Sequence, residues 1–424
     1  MRAPALLREN RDFRLLWLGE SVSELGDTVT FVALPFVALV VLHATTFEVA
    51  ALSAAETIFW PFVSLPIGVW VDRVSRRRVL LVADSGRALA LVSIPIAAAL
   101  GDLTLLQLYI VGMVSGVLTI FFSVAYPSYL PSVVTKDELV EGNSLLTGAE
   151  QVAHISGPAL GGALVQALGA AYALLADVAS FIISIVAVFA IHAEEPTPAT
   201  ERRAIRHEIA EGVRFLVHHT VLRAFILSAA TSNAFAGGAQ AITVLFLVRV
   251  VHVHAGVVGL LLSVGALGGL LGAVLARRLI SFFGDARTMV LAAVVEALAA
   301  YLVPATAQGW RLALFCAGQA IASVAIVAFN VVGGSYRQEI VPARLMGRVM
   351  AANRMVTWGA LPIGAFGAGA LAANFGIRHA LWILAAGLSL APVSLLAAGM
   401  WRIRTLPRDT PETLDTPVPL DTAT

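Results

Sequence analysis

The stretch PIGVWVDRVSRRRVLL, residues 66–81, passes from apolar to basic and back to apolar. Asp72 and four arginines, Arg73, Arg76, Arg77 and Arg78, fall within seven positions. The meaning of that break depends on the solvent around the flanking runs, and composition decides it. Of 424 residues 58% are hydrophobic and 13% charged, whereas soluble domains carry about 25% charged residues. A water-soluble core cannot hide so much apolar surface, so the solvent is a bilayer. The break then reads as a polar hairpin between two membrane-spanning helices.

Runs long enough to cross roughly 30 Å of hydrocarbon as a helix lie near 15–41, 48–71, 79–99, 104–127, 144–168, 172–192, 221–249, 256–276, 288–306, 310–332, 348–373 and 379–400. Twelve spans are expected. The short connectors at 42–47, 100–103 and 169–171 make sequence neighbours antiparallel. Of the 28 Lys and Arg, all but Arg249, Arg311 and Arg378 fall on one set of alternating connectors. Positive charge is retained in the cytoplasm during insertion, so both termini are expected there. The first run is too long for the core of a cleaved signal and is kept as a span.

The hairpin, G-x-W-x-D-R-x-S-R-R, resembles the loop motif of the major facilitator superfamily, G-x-L-x-D-R-x-G-R-R/K. Gly68, Asp72, Arg73, Arg76 and Arg77 match; Trp70 and Ser75 depart. The resemblance implies an all-α integral membrane fold of twelve transmembrane helices in two six-helix pseudo-symmetric bundles. It divides the chain into an N-terminal bundle (1–192), a cytoplasmic linker (193–220), a C-terminal bundle (221–400) and a Pro-, Thr- and Asp-rich tail (401–424) expected to be disordered. In the linker Ile205, Ile209, Val213 and Leu216 recur at helical spacing, which predicts a helix on the cytoplasmic membrane surface. Asp84 and Arg87 are read as bracing the hairpin, which should close against the start of span eleven near 344–354 and so act as a cytoplasmic gate.

Each half carries a similar stretch before its fifth span, SYLPSVVTKDELVEGN at 128–143 and SYRQEIVPARLMGRVMAAN at 335–353, and a glycine-rich helix follows each. In the first half that helix holds Gly157, Pro158, Gly161 and Gly162, which resemble the core of the superfamily's antiporter motif. Proline removes a backbone hydrogen bond and the glycines permit close helix contact. Ordinary small-residue packing of membrane helices gives the same pattern.

An acid at the bilayer centre costs roughly 2.5–3.5 kcal/mol on insertion scales, so those present ask for a function. Glu20, Glu24 and Asp27 share one face of span one. Asp27, at mid-membrane, is the leading proton carrier; Glu20, near the entrance, is a further candidate for proton coupling, weighed against simple solvation there. Glu24 is another candidate, balanced against simple solvation, and Glu56, Glu150 and His154 are further candidates for proton coupling, each balanced against a structural hydrogen bond. Glu296 reads as structural, and Asp177 has no evident partner. In span seven Asn233 and Gln240 have the same separation as Glu20 and Asp27, which suggests uncharged contacts to substrate. Phe31, Phe36, Phe121 and Tyr126 complete the expected cavity lining.

The single cysteine, Cys316, excludes an intrachain disulfide and a cysteine-rich metal site. No P-loop, HExxH or GxSxG is present, so no enzyme chemistry, metal or cofactor is expected. Within the superfamily, FRLLWLGESVSELGD, ADSGRA at 83–88 and GPALGG are most similar to the branch of enterobactin exporters and macrolide efflux proteins. That likeness implies export of an amphipathic small molecule by proton antiport and alternating access. Many such antiporters carry an arginine midway along span four; this chain has none there, which shifts weight to Asp27. The expected partners are a small-molecule substrate, protons and the lipid bilayer, with no nucleic acid, for a monomer. The excess of arginine over lysine, 27 to 1, suggests a GC-rich bacterial source, and the expected location is the bacterial cytoplasmic membrane. A lysophospholipid flippase, a solute symporter and a non-transporting receptor or scaffold stay open.

Overall fold

A computed structural model describes residues 5–71, 73–193, 195, 205–342 and 345–407. After a short helix α1 (Ala5–Glu9), the spans are α2 (Arg11–Phe36), the broken pair α3 (Thr46–Thr57) and α4 (Trp60–Val71), α5 (Arg76–Leu100), α6 (Leu105–Val133), α7 (Leu139–Leu168) and α8 (Ala170–Phe189). The linker forms α9 (Ile205–His218). The second set is α10 (Thr220–Leu245), α11 (Ala255–Phe283), α12 (Asp285–Ala300), α13 (Leu312–Ile340), α14 (Met346–Phe375) and the pair α15 (Ile377–Leu388) and α16 (Ala391–Ala397).

Nine helical segments among the described residues are long and apolar enough to cross a membrane by themselves. Three of the twelve expected spans fall short for separate reasons. The second is broken at residues 58–59 into two helices of 12 residues. The fifth, α7, is 30 residues long but carries Glu141, Asn143, Glu150, Gln151 and His154. The ninth, α12, has 16 residues and continues as a turn.

The two sets repeat each other closely. α6 and α13 have 29 residues each, and α7 and α14 have 30. Both α2 and α10 run into a five-residue π-helical turn, Val37–Val41 and Phe246–Val250. Each turn is followed by a histidine with positive φ, His43 at 52° and His252 at 59°. That register, a shift of 209 residues, sets Asn233 opposite Glu24 and Gln240 opposite Phe31, which corrects the pairing with Glu20 and Asp27 expected from spacing alone.

Within the first set α2 packs on α7 and α8, and α5 on α6 and α8; within the second α10 packs on α14, α15 and α16, and α13 on α11 and α12. The sets meet where α7 lies against α11 and where α3 and α4 lie against α14. At the end away from the arginine-rich connectors they are also hydrogen-bonded. Arg249 Nη2 donates to the Ala44 carbonyl at 2.7 Å and the Gly256 N–H to Gln166 Oε1 at 3.1 Å. Deeper in, Trp60 and Trp358 face each other at 4.2 Å between ring centroids.

Two segments differ from expectation at the basic end. α9 packs on α14, with Leu216 buried in the core beside Val221 and Leu222 and Glu211 ion-paired to Arg348. Its apolar face is therefore used at least in part by protein and not by lipid alone. The start of the tail is docked: the Leu406 N–H donates to Asp285 Oδ1 at 2.8 Å, and Tyr336 Oη donates to the Pro407 carbonyl at 3.0 Å. Residues 408–424 lie outside the described residues.

Candidate functional site

The sequence GESVSELGD of α2 turns two faces to two neighbours. Gly19 and Gly26, seven apart, lie against α8; a methyl group at Gly19 would stand 3.2 Å from Ala187 Cβ, and one at Gly26 would overlap Ser180 and Asp177. This close approach leaves the acids of α2 directed toward α5 and the space between the sets.

There Asp27 meets Arg87, whose Nη1 donates to Asp27 Oδ2 at 3.1 Å. Arg87 Nη2 donates to Asp84 Oδ1 at 2.5 Å, and Ser184 Oγ donates to Asp84 Oδ2 at 2.6 Å. The guanidinium lies between the rings of Phe122 and Phe181, 4.6 and 4.3 Å from their centroids, an arrangement that adds cation–π attraction in a dry site. Arg87 and Asp84 are fully buried, whereas the Asp27 side chain keeps 37% of its surface. The expectation that Asp84 and Arg87 brace the hairpin is thereby corrected. α5 starts at Arg76, capped by Ser75, so at about 1.5 Å per residue Arg87 stands some 16 Å along the helix.

The exposed side of Asp27 opens into a cavity of about 450 Å³ between the sets, with Glu24, Phe31 and His154 on one wall and Gln240 and Gln319 on the other. Glu150 and His154 face each other across 3.8 Å and are half exposed. Glu20 is only partly exposed, and its Oε2 is buried without a hydrogen-bond partner among the described residues; it is not a solvated entrance group. Asp177 accepts hydrogen bonds from Thr30 and Ser180. Glu296 accepts one from Ser232 at 2.5 Å, and Asn233 donates to the Thr357 carbonyl at 2.7 Å.

Several other expected residues are not in the lining of that cavity, although Pro158 is. Phe36 is 4% exposed in the hydrophobic core, because α2 is packed on several sides at that level. Phe121 packs edge-on against Trp70, and Tyr126 is buried in a stack with Phe122. Glu56 lies in α3 where its backbone meets Gly116 of α6. The glycine motif divides its contacts. Gly157 and Gly161 abut Thr28 and Val29 of α2, whereas Pro158 and Gly162 abut Gly259 of α11, across the boundary between the sets.

In the hairpin, Glu195 accepts hydrogen bonds from the N–H groups of Arg76 and Arg77 at 2.6 and 3.0 Å and from Ser75 Oγ at 2.7 Å. Arg77 donates to the carbonyls of Val188 and Phe189 at the end of α8. Gly68 falls in α4 and Arg73 is exposed; Asp72 and Arg344 lie outside the described residues.

The pattern that defines the transmembrane secretion effector family, a branch of the major facilitator superfamily, matches residues 3–417. The chain belongs to this family. It is a multi-pass membrane transporter, not an enzyme. Similar curated proteins include the multidrug efflux pump Tap of Mycolicibacterium fortuitum, 28% identical over 396 residues that cover 90% of this chain and 93% of Tap. The enterobactin exporter EntS of Citrobacter koseri is 24% identical over 278 residues, 65% of each chain. Among solved structures, the nucleoside transporter NupG superposes with a TM-score of 0.74 at 12% identity, over 92% of this chain and 99% of its own. That likeness confirms the fold.

Proposed function

We propose that this family member exports an amphipathic small molecule from the cytoplasm of a bacterium by proton antiport, with both termini in the cytoplasm. The observation that carries the reading is the two-sided position of Asp27, one side open to the central cavity and the other ion-paired to a fully buried arginine. A carboxylate so placed can gain a proton from the cavity and, once neutral, leaves Arg87 with Asp84 as its counter-charge. The proton thus alters an attraction between α2 and α5, which a group bathed in water could not do. Arg87, from the third span, supplies the arginine that was sought on the fourth.

The direction rests on the family and on the efflux and exporter relatives. The contacts at Ala44, Gln166 and Gly162 favour a state closed on the outside, in which cargo enters from the cytoplasm. Pro158 and Gly162 let α7 and α11 slide as the state changes, and the hairpin around Asp72 acts as the cytoplasmic gate.

The test is internal pH of proteoliposomes under an imposed proton gradient as cationic dyes and macrolides are added, for wild type and Asp27→Asn. Release of protons by wild type and not by the variant, with binding retained in both, is the expected result. Equal release from both moves the coupling away from Asp27, and cargo movement without protons in wild type overturns antiport.

A further inference from the structure

A second cavity, of about 330 Å³, lies wholly within the second set of helices near the basic end. Phe225, Phe329, Met350 and Trp358 give it an apolar wall, and Arg337 and Asn353 enter it from α13 and α14. Arg337 is 9% exposed, and its Nε and Nη1 have no hydrogen-bond partner among the described residues. Its guanidinium packs over the Phe225 ring at 4.7 Å from the centroid, which fixes the plane. Asn353 is 8% exposed, with Oδ1 likewise unpartnered. The acid on the same wall, Glu296, is hydrogen-bonded to Ser232 and makes no ion pair with Arg337. In the internal repeat SYLP/SYRQ, Arg337 stands where the first half has Leu130, a residue 1% exposed in the core. One half thus fills this position with hydrocarbon, and the other places a charge there with no protein counter-charge among the described residues.

A buried guanidinium without acceptors is costly, because each unmade hydrogen bond to a charged group forfeits its hydration. A planar fork of N–H groups beside aromatic rings is also the geometry that recognises a carboxylate or phosphate attached to an apolar body. We propose that this cavity is a binding site for amphipathic organic anions, with Arg337 holding the acidic group, Asn353 meeting a hydroxyl or N–H beside it, and the Phe225, Phe329 and Trp358 wall taking the apolar part. The proposal deepens the export reading, on which it rests only for the claim that the bound anion is cargo. The same chemistry could come from a soluble molecule or from an anionic lipid headgroup.

The experiment measures binding by calorimetry on the full chain in phosphatidylcholine nanodiscs, without a proton gradient, using 2-naphthoate and its uncharged analogue 2-naphthamide. Wild type should bind the acid about tenfold or more tightly over the amide, the size of one charge-assisted contact, and Arg337→Gln should abolish that preference. Equal affinity for acid and amide in wild type overturns the proposal, whatever the variant does, as does an acid preference that survives in a folded Arg337→Gln. Replacing a third of the lipid by phosphatidylglycerol separates the sources: unchanged naphthoate affinity supports a soluble anion, and competitive loss supports a lipid headgroup in the same site. Because no transport is measured, failure of proton antiport leaves this result intact, and failure here leaves the proton assay of Asp27 standing.

Discussion

Arg87 and Arg337 are the two arginines buried among the described residues, one in each half of a repeated architecture, and their surroundings are opposite. Arg87 is held by two carboxylates and two aromatic rings. Arg337 is held by one ring and has no ion pair among the described residues. Arg87 lies on the third span of its half and Arg337 on the fourth of its own, so the contrast is between the charge arrangements of the two halves and not between equivalent positions. It places self-contained charge balance in the first half, where a proton can disturb it, and an open demand for negative charge in the second. The proposed exchange of a proton for another solute would use these two properties in separate places.

The largest effect that would break the comparison is expected at Arg87. Arg87→Leu leaves Asp84, 0% exposed, without its counter-charge, and removing one member of a buried pair costs about 3–5 kcal/mol. Apparent melting temperature in detergent should fall steeply, and Arg87→Leu combined with Asp84→Asn should recover much of the loss. A single variant as stable as wild type would mean that the pair is not a structural unit.

The two acids sharpen the same point. Asp84→Asn removes a buried charge-assisted hydrogen bond and should cost about 2 kcal/mol, whereas Asp27→Asn removes a pair whose acid is 37% exposed and should cost about 1 kcal/mol or less. Proton coupling should show the reverse order, lost in Asp27→Asn and merely weakened in Asp84→Asn. Melting curves beside proteoliposome pH traces check both. If the orders of the two measurements coincide, structural and coupling roles are not divided between these acids.

What could be read from the sequence follows from the range of each interaction. The helices, the hairpin and the internal repeat are local patterns, and they were legible. The face carrying Glu20, Glu24 and Asp27 was legible too, because helical periodicity is fixed. The partner of Asp27 was not, since it lies sixty residues away on a helix that begins at Arg76, three residues before the apolar run that marks it in the sequence. That displacement moved Asp84 and Arg87 to the membrane edge, although their D-x-x-R spacing on one helical face was a usable signal of a pair. Phe36 was misplaced because composition cannot tell the cavity face of α2 from its packed faces. Arg337 stands in the internal repeat, where SYLP against SYRQ sets an arginine opposite a leucine, a signal already present in the sequence. The recurring VVLH and RVVH that close α2 and α10 would have given the register that spacing alone mistook.

The smallest expected effect is the most telling for the comparison. Arg337→Leu converts the second half to the residue that the first half has at Leu130. With no ion pair among the described residues to lose, and with the burial cost of an uncompensated guanidinium removed, stability should change by less than about 1 kcal/mol or rise. The apolar neighbours Phe225 and Phe329 can take up the smaller side chain, since they already stack on each other at 4.8 Å. The same denaturation assay that registers Arg87→Leu as a large loss should therefore register this variant as near neutral, while binding of an organic acid is lost. A large loss of stability would mean that Arg337 is satisfied by a group of the protein itself, and the two arginines would then be alike. A neutral variant without acid binding leaves ligand recognition as the reason a charge is kept where its counterpart is leucine.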